Sequence, residues 1–97
     1  MAKQIPSERT IVRRVMDEAR RAGWWCLKVH GGQYMMKGLP DILAIRGGRC
    51  VWMEAKRPGE EPTRIQLHVM RQLARAGCPV AVVHSAADAR HFLEAIG

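Results

Sequence analysis

Two strand-like runs meet at a pair of glycines, and no other feature constrains the fold of this chain as much. Asp41 to Arg46 (DILAIR) and Arg49 to Lys56 (RCVWMEAK) are rich in branched and apolar residues, with Gly47-Gly48 between them. Two glycines adopt the positive φ angles of a two-residue turn at no steric cost, so the segment reads as a β-hairpin. The turn sets the register. Arg46 faces Arg49, Leu43 faces Trp52 and Asp41 faces Glu54. Directly opposed residues share a face with Cβ atoms about 5 Å apart, and side chains repeat every second residue. Asp41, Glu54 and Lys56 therefore gather at the open end of the hairpin, on the face that also carries Trp52. A symmetric turn of even length keeps this register, and a bulge breaks it.

Opposed carboxylates repel. Either the strand end is solvated and the repulsion is tolerated, or a bound cation offsets it. Two carboxylates with a backbone carbonyl, such as that of Ala55, and waters suit a hard ion such as Mg²⁺. Such an ion lowers the pKa of bound water and neutralises charge on a phosphate under attack, while Lys56 can hold the water. The second reading supplies the parts of metal-assisted phosphodiester hydrolysis.

The rest of the chain is punctuated into short elements. Ser7 caps a helix from Glu8 to Ala22 whose apolar stripe is Ile11, Val12, Val15, Met16 and Ala19, and Gly23 stops it. Trp24 to His30 reads as a strand, and Gly31 to Gly38 as a loop holding Tyr34, Met35, Met36 and Lys37. After the hairpin, Thr63 caps a second helix to about Ala76, Pro79 to His84 is a short apolar strand, and Ser85 with Asp88 opens a third helix. The order α-β-β-β-α-β-α predicts an α/β domain, a mixed four-stranded sheet flanked by helices. With 97 residues, one domain spanning residues 1–97 is expected.

Sixteen Lys and Arg against nine Asp and Glu give a net charge of +7, which points to nucleic acid or another polyanion as partner. Arg9, Arg13 and Arg20 lie within about one stripe of the first helix, and Arg57 and Arg64 flank the end of the Glu54–Lys56 strand. Contacts from these residues to phosphates would be sequence-independent and weaken steeply with salt. Lys37 is a further phosphate contact or a solvated loop lysine. No apolar run approaches the roughly 18 residues of a membrane span, and the start MAKQIPSERT has no apolar core of a secretory signal, so no membrane partner and a reducing cytoplasm are expected. Cys26, Cys50 and Cys78 are an odd count with no C-x-x-C pair, which argues against a disulfide framework or zinc knuckle and for small buried apolar roles.

Pro40-Asp41, then twelve residues, then Glu54-Ala55-Lys56, resembles the motif of the PD-(D/E)XK nuclease superfamily. Glu8 in the first helix, Lys37-Gly38-Leu39-Pro40-Asp41, Glu54-Ala55-Lys56 and Gln66 opening the next helix are similar to its VRR-NUC family, in its small phage-type form. The resemblance implies a restriction-endonuclease-like αβββαβ core and a Mg²⁺- or Mn²⁺-dependent DNA endonuclease. It assigns Asp41 and Glu54 as metal ligands, Glu8 as the outer acid, Lys56 as the catalytic lysine and Gln66 as an orienting amide. It further implies branched DNA of the Holliday-junction kind as substrate, a homodimer, and the cytoplasm of a bacterial or phage-infected host cell. A restriction-type duplex endonuclease and a non-catalytic nucleic-acid-binding domain with the same fold are the alternatives.

Plainer roles stand beside these. An acid in a first helical turn is favoured by the helix dipole, which alone accounts for Glu8. Thr63-x-x-Gln66 is a capping box, which alone accounts for Gln66. Trp24 and Trp25 point to opposite faces of their strand, so at most one is exposed. The Tyr34–Met36 segment is an interface or a loop at the site. His30 ends its strand where it can approach the site, and His68, His84 and His91 are scattered over surface or packing positions.

Overall fold

The structure is a computed structural model describing residues 4–33 and 35–97; Tyr34 lies outside the described residues. Seven elements follow in the expected order: α1 (Glu8–Arg21), β1 (Trp25–Lys28), β2 (Ile42–Arg46), β3 (Arg49–Ala55), α2 (Arg64–Arg75), β4 (Val80–Val83) and α3 (Ala86–Ile96). The strands form one mixed sheet in the order β1-β2-β3-β4, antiparallel except for the parallel pair β3–β4 joined through α2.

The hairpin has the expected register, with Arg46 opposite Arg49, Leu43 opposite Trp52 and Ile42 opposite Met53. Gly47 and Gly48 both have positive φ, +57° and +78°, as a two-residue turn between right-twisted strands requires. The like-charged pair beside the turn is separated by its partners. Arg46 lies 4.6 Å over the Trp24 ring and donates to the carbonyl of Ala22, while Arg49 reaches the carbonyl of Ile96.

One face of the sheet is the core. Ile42, Ala44, Val51, Met53, Ala55 and Val83 point towards α1 and α3 and meet the α1 stripe Ile11, Val12, Val15, Met16 and Ala19. Because α1 lies on this face with its N-terminus towards the open end of the hairpin, its first residue is delivered to Asp41 and Glu54. The opposite face is half covered. There α2 packs against β4, with Val69 buried, and leaves β1 and β2 open. The register pairs place Leu27, Leu43 and Trp52 in one row and Trp25 and Ile45 in another, and Trp25 and Leu27 are 58% and 47% exposed.

Three expectations change. The first strand is shorter than Trp24 to His30, because Gly23 (φ +89°) turns the chain out of α1 and the Trp24 amide donates back to the Ala19 carbonyl. Trp24 is thereby tied to the helix end and buried, and Trp25 is the exposed member of the pair. Only Cys26 is a buried cysteine; Cys50, beside the hairpin turn, is exposed, and Cys78 is half-buried. Glu54 is 1% exposed, so of the two readings of this strand end, solvated or offset by a cation, the solvated one is set aside. No described helix is long and apolar enough to cross a membrane.

Candidate active site

The site forms where the open end of the hairpin meets the first turns of α1 and α2. The ladder between β2 and β3 ends at Ile42 and Met53, and beyond it side chains take over from the backbone. The Asp41 amide donates to Glu54 Oε1 (3.2 Å), and the Ala55 amide donates to Asp41 Oδ2 (3.1 Å). Each carboxylate is thus held by the backbone of the other strand, and the two acids are brought together by the sheet itself.

Glu8 completes the cluster. Ser7 is the N-cap of α1, accepting from the Thr10 amide, so Glu8 is the first helical residue and projects from the helix start. One oxygen each from Glu8, Asp41 and Glu54 lie within 4.8 Å of one another. The Glu8 carboxylate has no hydrogen bond to any other described residue. Opposite ligands of a six-coordinate ion with bonds of about 2.1 Å are about 4.2 Å apart, and all three donors are hard carboxylate oxygens. The set fits a divalent cation, and the carbonyl of Ala55 stands on the same strand as Glu54.

Two cations balance the acids from different sides. Lys56 Nζ is 3.6 Å from Glu54 Oε2, with only 13% of its side chain exposed. Lys28 Nζ, at the end of β1, is 3.7 Å from Asp41 Oδ1. The Glu54 carboxyl is nevertheless pushed up to about 7, chiefly because burial removes water from the charged form. The negative charges of Asp41 and Glu8 raise it further, while Lys56 and the Asp41 amide pull the other way.

Gln66 makes two contacts at once. Its Oε1 accepts from the Thr63 amide (2.8 Å), closing the capping box of α2, and its Nε2 donates to Glu54 Oε2 (3.1 Å).

A groove of about 690 Å³ runs from this cluster between α1 and β1, lined by Glu8, Arg9, Arg13, Arg20, Lys28 and Asp41 among others. Exposed Lys37 lines a second recess, which shares Lys28 and Asp41 with the first. Arg64 is exposed on the first turn of α2. Arg57 is engaged: its Nε donates to the Pro6 carbonyl (3.1 Å) and anchors the segment leading into Glu8. Met35 and Met36 are exposed on the rim of the second recess. The Tyr34 part of that loop's expected role lies outside the described residues. His30 lines the main groove. Lys28 is the site residue that sequence reasoning missed. Only the strand pairing reveals it, opposite Ile42 and so one step from Asp41.

A protein of Acyrthosiphon pisum secondary endosymbiont phage 1, described as "Putative nuclease p44", is 34% identical over 80 residues, which are 80% of this chain and 83% of that protein. A solved VRR_NUC domain superposes with a TM-score of 0.77 at 21% identity, covering 90% of this chain and 94% of its own. This chain belongs to the VRR-NUC nuclease family. No family model matches it. The VRR-NUC likeness extends over the hairpin and its flanking helices, since it spans nearly the whole of both structures.

Proposed function

We propose that this VRR-NUC nuclease is a metal-dependent, structure-selective DNA endonuclease of the Holliday-junction-resolvase kind, formed by one domain over residues 1–97. The observation that carries the reading is the convergence of Glu8, Asp41 and Glu54 beside Lys56, at the inner end of a groove lined by arginines. Glu8, Asp41, Glu54 and the Ala55 carbonyl would hold Mg²⁺ or Mn²⁺. When bound, the ion supplies Lewis acidity, making water a better nucleophile and neutralising charge on the phosphate.

The protein's own groups do the rest. Lys56 donates to the attacking water or to the phosphate oxygen that gains charge, and its burial beside Glu54 fixes its position. Gln66 holds Glu54 by one oxygen, which leaves the other carboxylate edge towards Asp41. Water adds to phosphorus and gives up a proton to solvent, the bond to one sugar oxygen breaks, and that oxygen takes up a proton from solvent as it leaves. Arg9 and Arg13 in the groove, Lys37 at the second recess, and Arg57 and Arg64 on the other side contact backbone phosphates. The phage relative supports a role in the cytoplasm of a bacterial or phage-infected cell.

The test is cleavage of labelled single strand, duplex, flap and four-way junction with Mg²⁺ or Mn²⁺. Metal-dependent cutting with the junction preferred is the expected result. Cutting of linear duplex at defined sites would replace the resolvase reading with a restriction-type one. Salt-sensitive binding without cutting of any substrate would leave a binding domain.

A symmetric four-way junction carries two strands to be cut, and a two-fold dimer offers two sites. The open rows Trp25–Ile45 and Leu27–Leu43–Trp52 supply an apolar face of the kind that marks an interaction site. Homodimerisation through this face predicts a dimer by sedimentation and a monomer for the Trp25→Glu, Leu27→Glu double variant. A monomeric wild type at micromolar concentration would refute it.

A further inference from the structure

We propose that Lys28 grips a backbone phosphate of the bound strand at the inner end of the α1–β1 groove, a subsite that rests on the nuclease reading. The two lysines of the site are placed differently. Lys56 is nearly enclosed and committed to Glu54, whereas the Lys28 side chain is 32% exposed and stands where the main groove and the second recess meet. Its stem is pinned at one point. One Nζ hydrogen goes to the Val29 carbonyl at 2.9 Å, a bond made within the strand end itself. Asp41 Oδ1, at 3.7 Å, is beyond hydrogen-bond distance and within Coulombic reach. An ammonium has three donors, so two remain for a ligand that enters the groove.

The surroundings identify that ligand's chemistry. Besides Lys28 the groove is lined by Arg9, Arg13 and Arg20, the last also donating to the Cys26 carbonyl, with Asp17 as its acid beyond the metal-site pair. A row of cations leading to an ammonium with unused donors fits a phosphodiester chain, whose charges recur along its length. Asp41 holds the ammonium beside the cluster when the groove is empty, and a phosphate oxygen takes over when the strand is bound. The strand is thereby registered on the site by a contact adjacent to the acids, while Lys56 acts within them. Merely neutralising Asp41 would require no access to the groove.

The experiment measures binding of a fluorescent four-way junction and of duplex by anisotropy across a KCl series in EDTA. The proteins are wild type, Lys28→Ala and Lys28→Arg, each also in an Asp41→Asn background, with thermal melting to confirm folding and Lys28→Gln in reserve if the alanine variant does not fold. Lys28→Ala should bind about five- to tenfold more weakly and lose about one from the slope of log affinity against log salt, on both DNAs. Lys28→Arg should stay within about twofold of wild type. The same loss should persist in the Asp41→Asn background. A loss that vanishes there would mean that Lys28 only offsets Asp41, and the proposal would fall, as it would with an unchanged salt slope. With Mn²⁺, Lys28→Ala should raise KM with kcat little changed; a fall in kcat at constant KM would overturn the proposal. If wild type cuts nothing while the slope still drops, the phosphate contact stands and the nuclease reading fails.

Discussion

Asp41→Ala should abolish metal-dependent cleavage while DNA binding persists. Asp41 is the residue on which most of the site converges. It lies within 4.8 Å of Glu8 and Glu54, accepts from the Ala55 amide and attracts Lys28. Removing one electrostatic contributor from a preorganised site costs on the order of 10²–10³ in rate, and a shared metal ligand costs at least that. The arginines of the groove are untouched, so affinity in EDTA should hold within a few-fold or rise, because a negative charge has left the phosphate path. The substitution also strips the Ala55 amide of its acceptor, a cost of about 1–3 kcal/mol if no water replaces it. Asp41→Asn keeps an oxygen for that amide, so a loss of cleavage shared by both variants reports on charge rather than folding. Residual cutting at a tenth of the wild-type rate would remove Asp41 from the chemistry.

The second large effect is on stability, and it has a definite sign. The Glu54 carboxyl is raised from its ordinary 4.5 to about 7 by burial and by the two neighbouring acids. Between those values the unfolded chain has released the proton that the folded chain still binds. Without a divalent ion, stability should therefore fall as pH rises from about 4.5 to about 7 and flatten beyond, by up to roughly 3 kcal/mol. A cation favours the ionised form, so its binding should tighten across the same window. At a hundred times its Kd, Mn²⁺ adds about 2.7 kcal/mol, which for a domain of this size is a rise in Tm of about 10 °C or more. The shift should be larger at pH 8 than at pH 6. Glu54→Gln cannot ionise, so its melting temperature should lack both this contribution to the pH dependence and most of the response to metal. Melting in EDTA that is equally stable at pH 5 and pH 8 would contradict the buried carboxyl, and melting that ignores saturating Mn²⁺ would contradict the metal site.

The parts of this arrangement legible in the sequence are those set by local rules. Gly47-Gly48 specifies a turn with two positive φ angles, and the turn alone sets which residues of β2 and β3 are opposed. Ser7, Thr63 and Ser85 each mark a helix start that the structure shows as a cap. The resemblance added what register could not, since Glu8 and Gln66 are far from the hairpin in sequence and reach it only through packing of α1 and α2. Lys28 was illegible for a related reason. The 29–41 connection between β1 and β2 is too long for a tight turn to set the register, so nothing in the sequence specifies that Lys28 pairs opposite Ile42. The burial of Glu54 was hidden too. Alternation assigns it to a face, but how deeply that face is covered depends on where the crossover helix α2 lies.

Gln66 gives the site a property that none of its acids could provide alone. A carboxamide is asymmetric, and the Thr63 amide claims its oxygen, so the nitrogen is the edge left for Glu54. The helix start thus acts as a polarity key. It dictates which end of the amide meets the acid, and it does so only when the first turn of α2 is wound. Fraying of that turn would free the Gln66 oxygen from the Thr63 amide and loosen the position of the nitrogen that donates to Glu54. A single local unwinding event would then cost the acid a positioned donor, which makes the order of this one helical turn part of the state of the site.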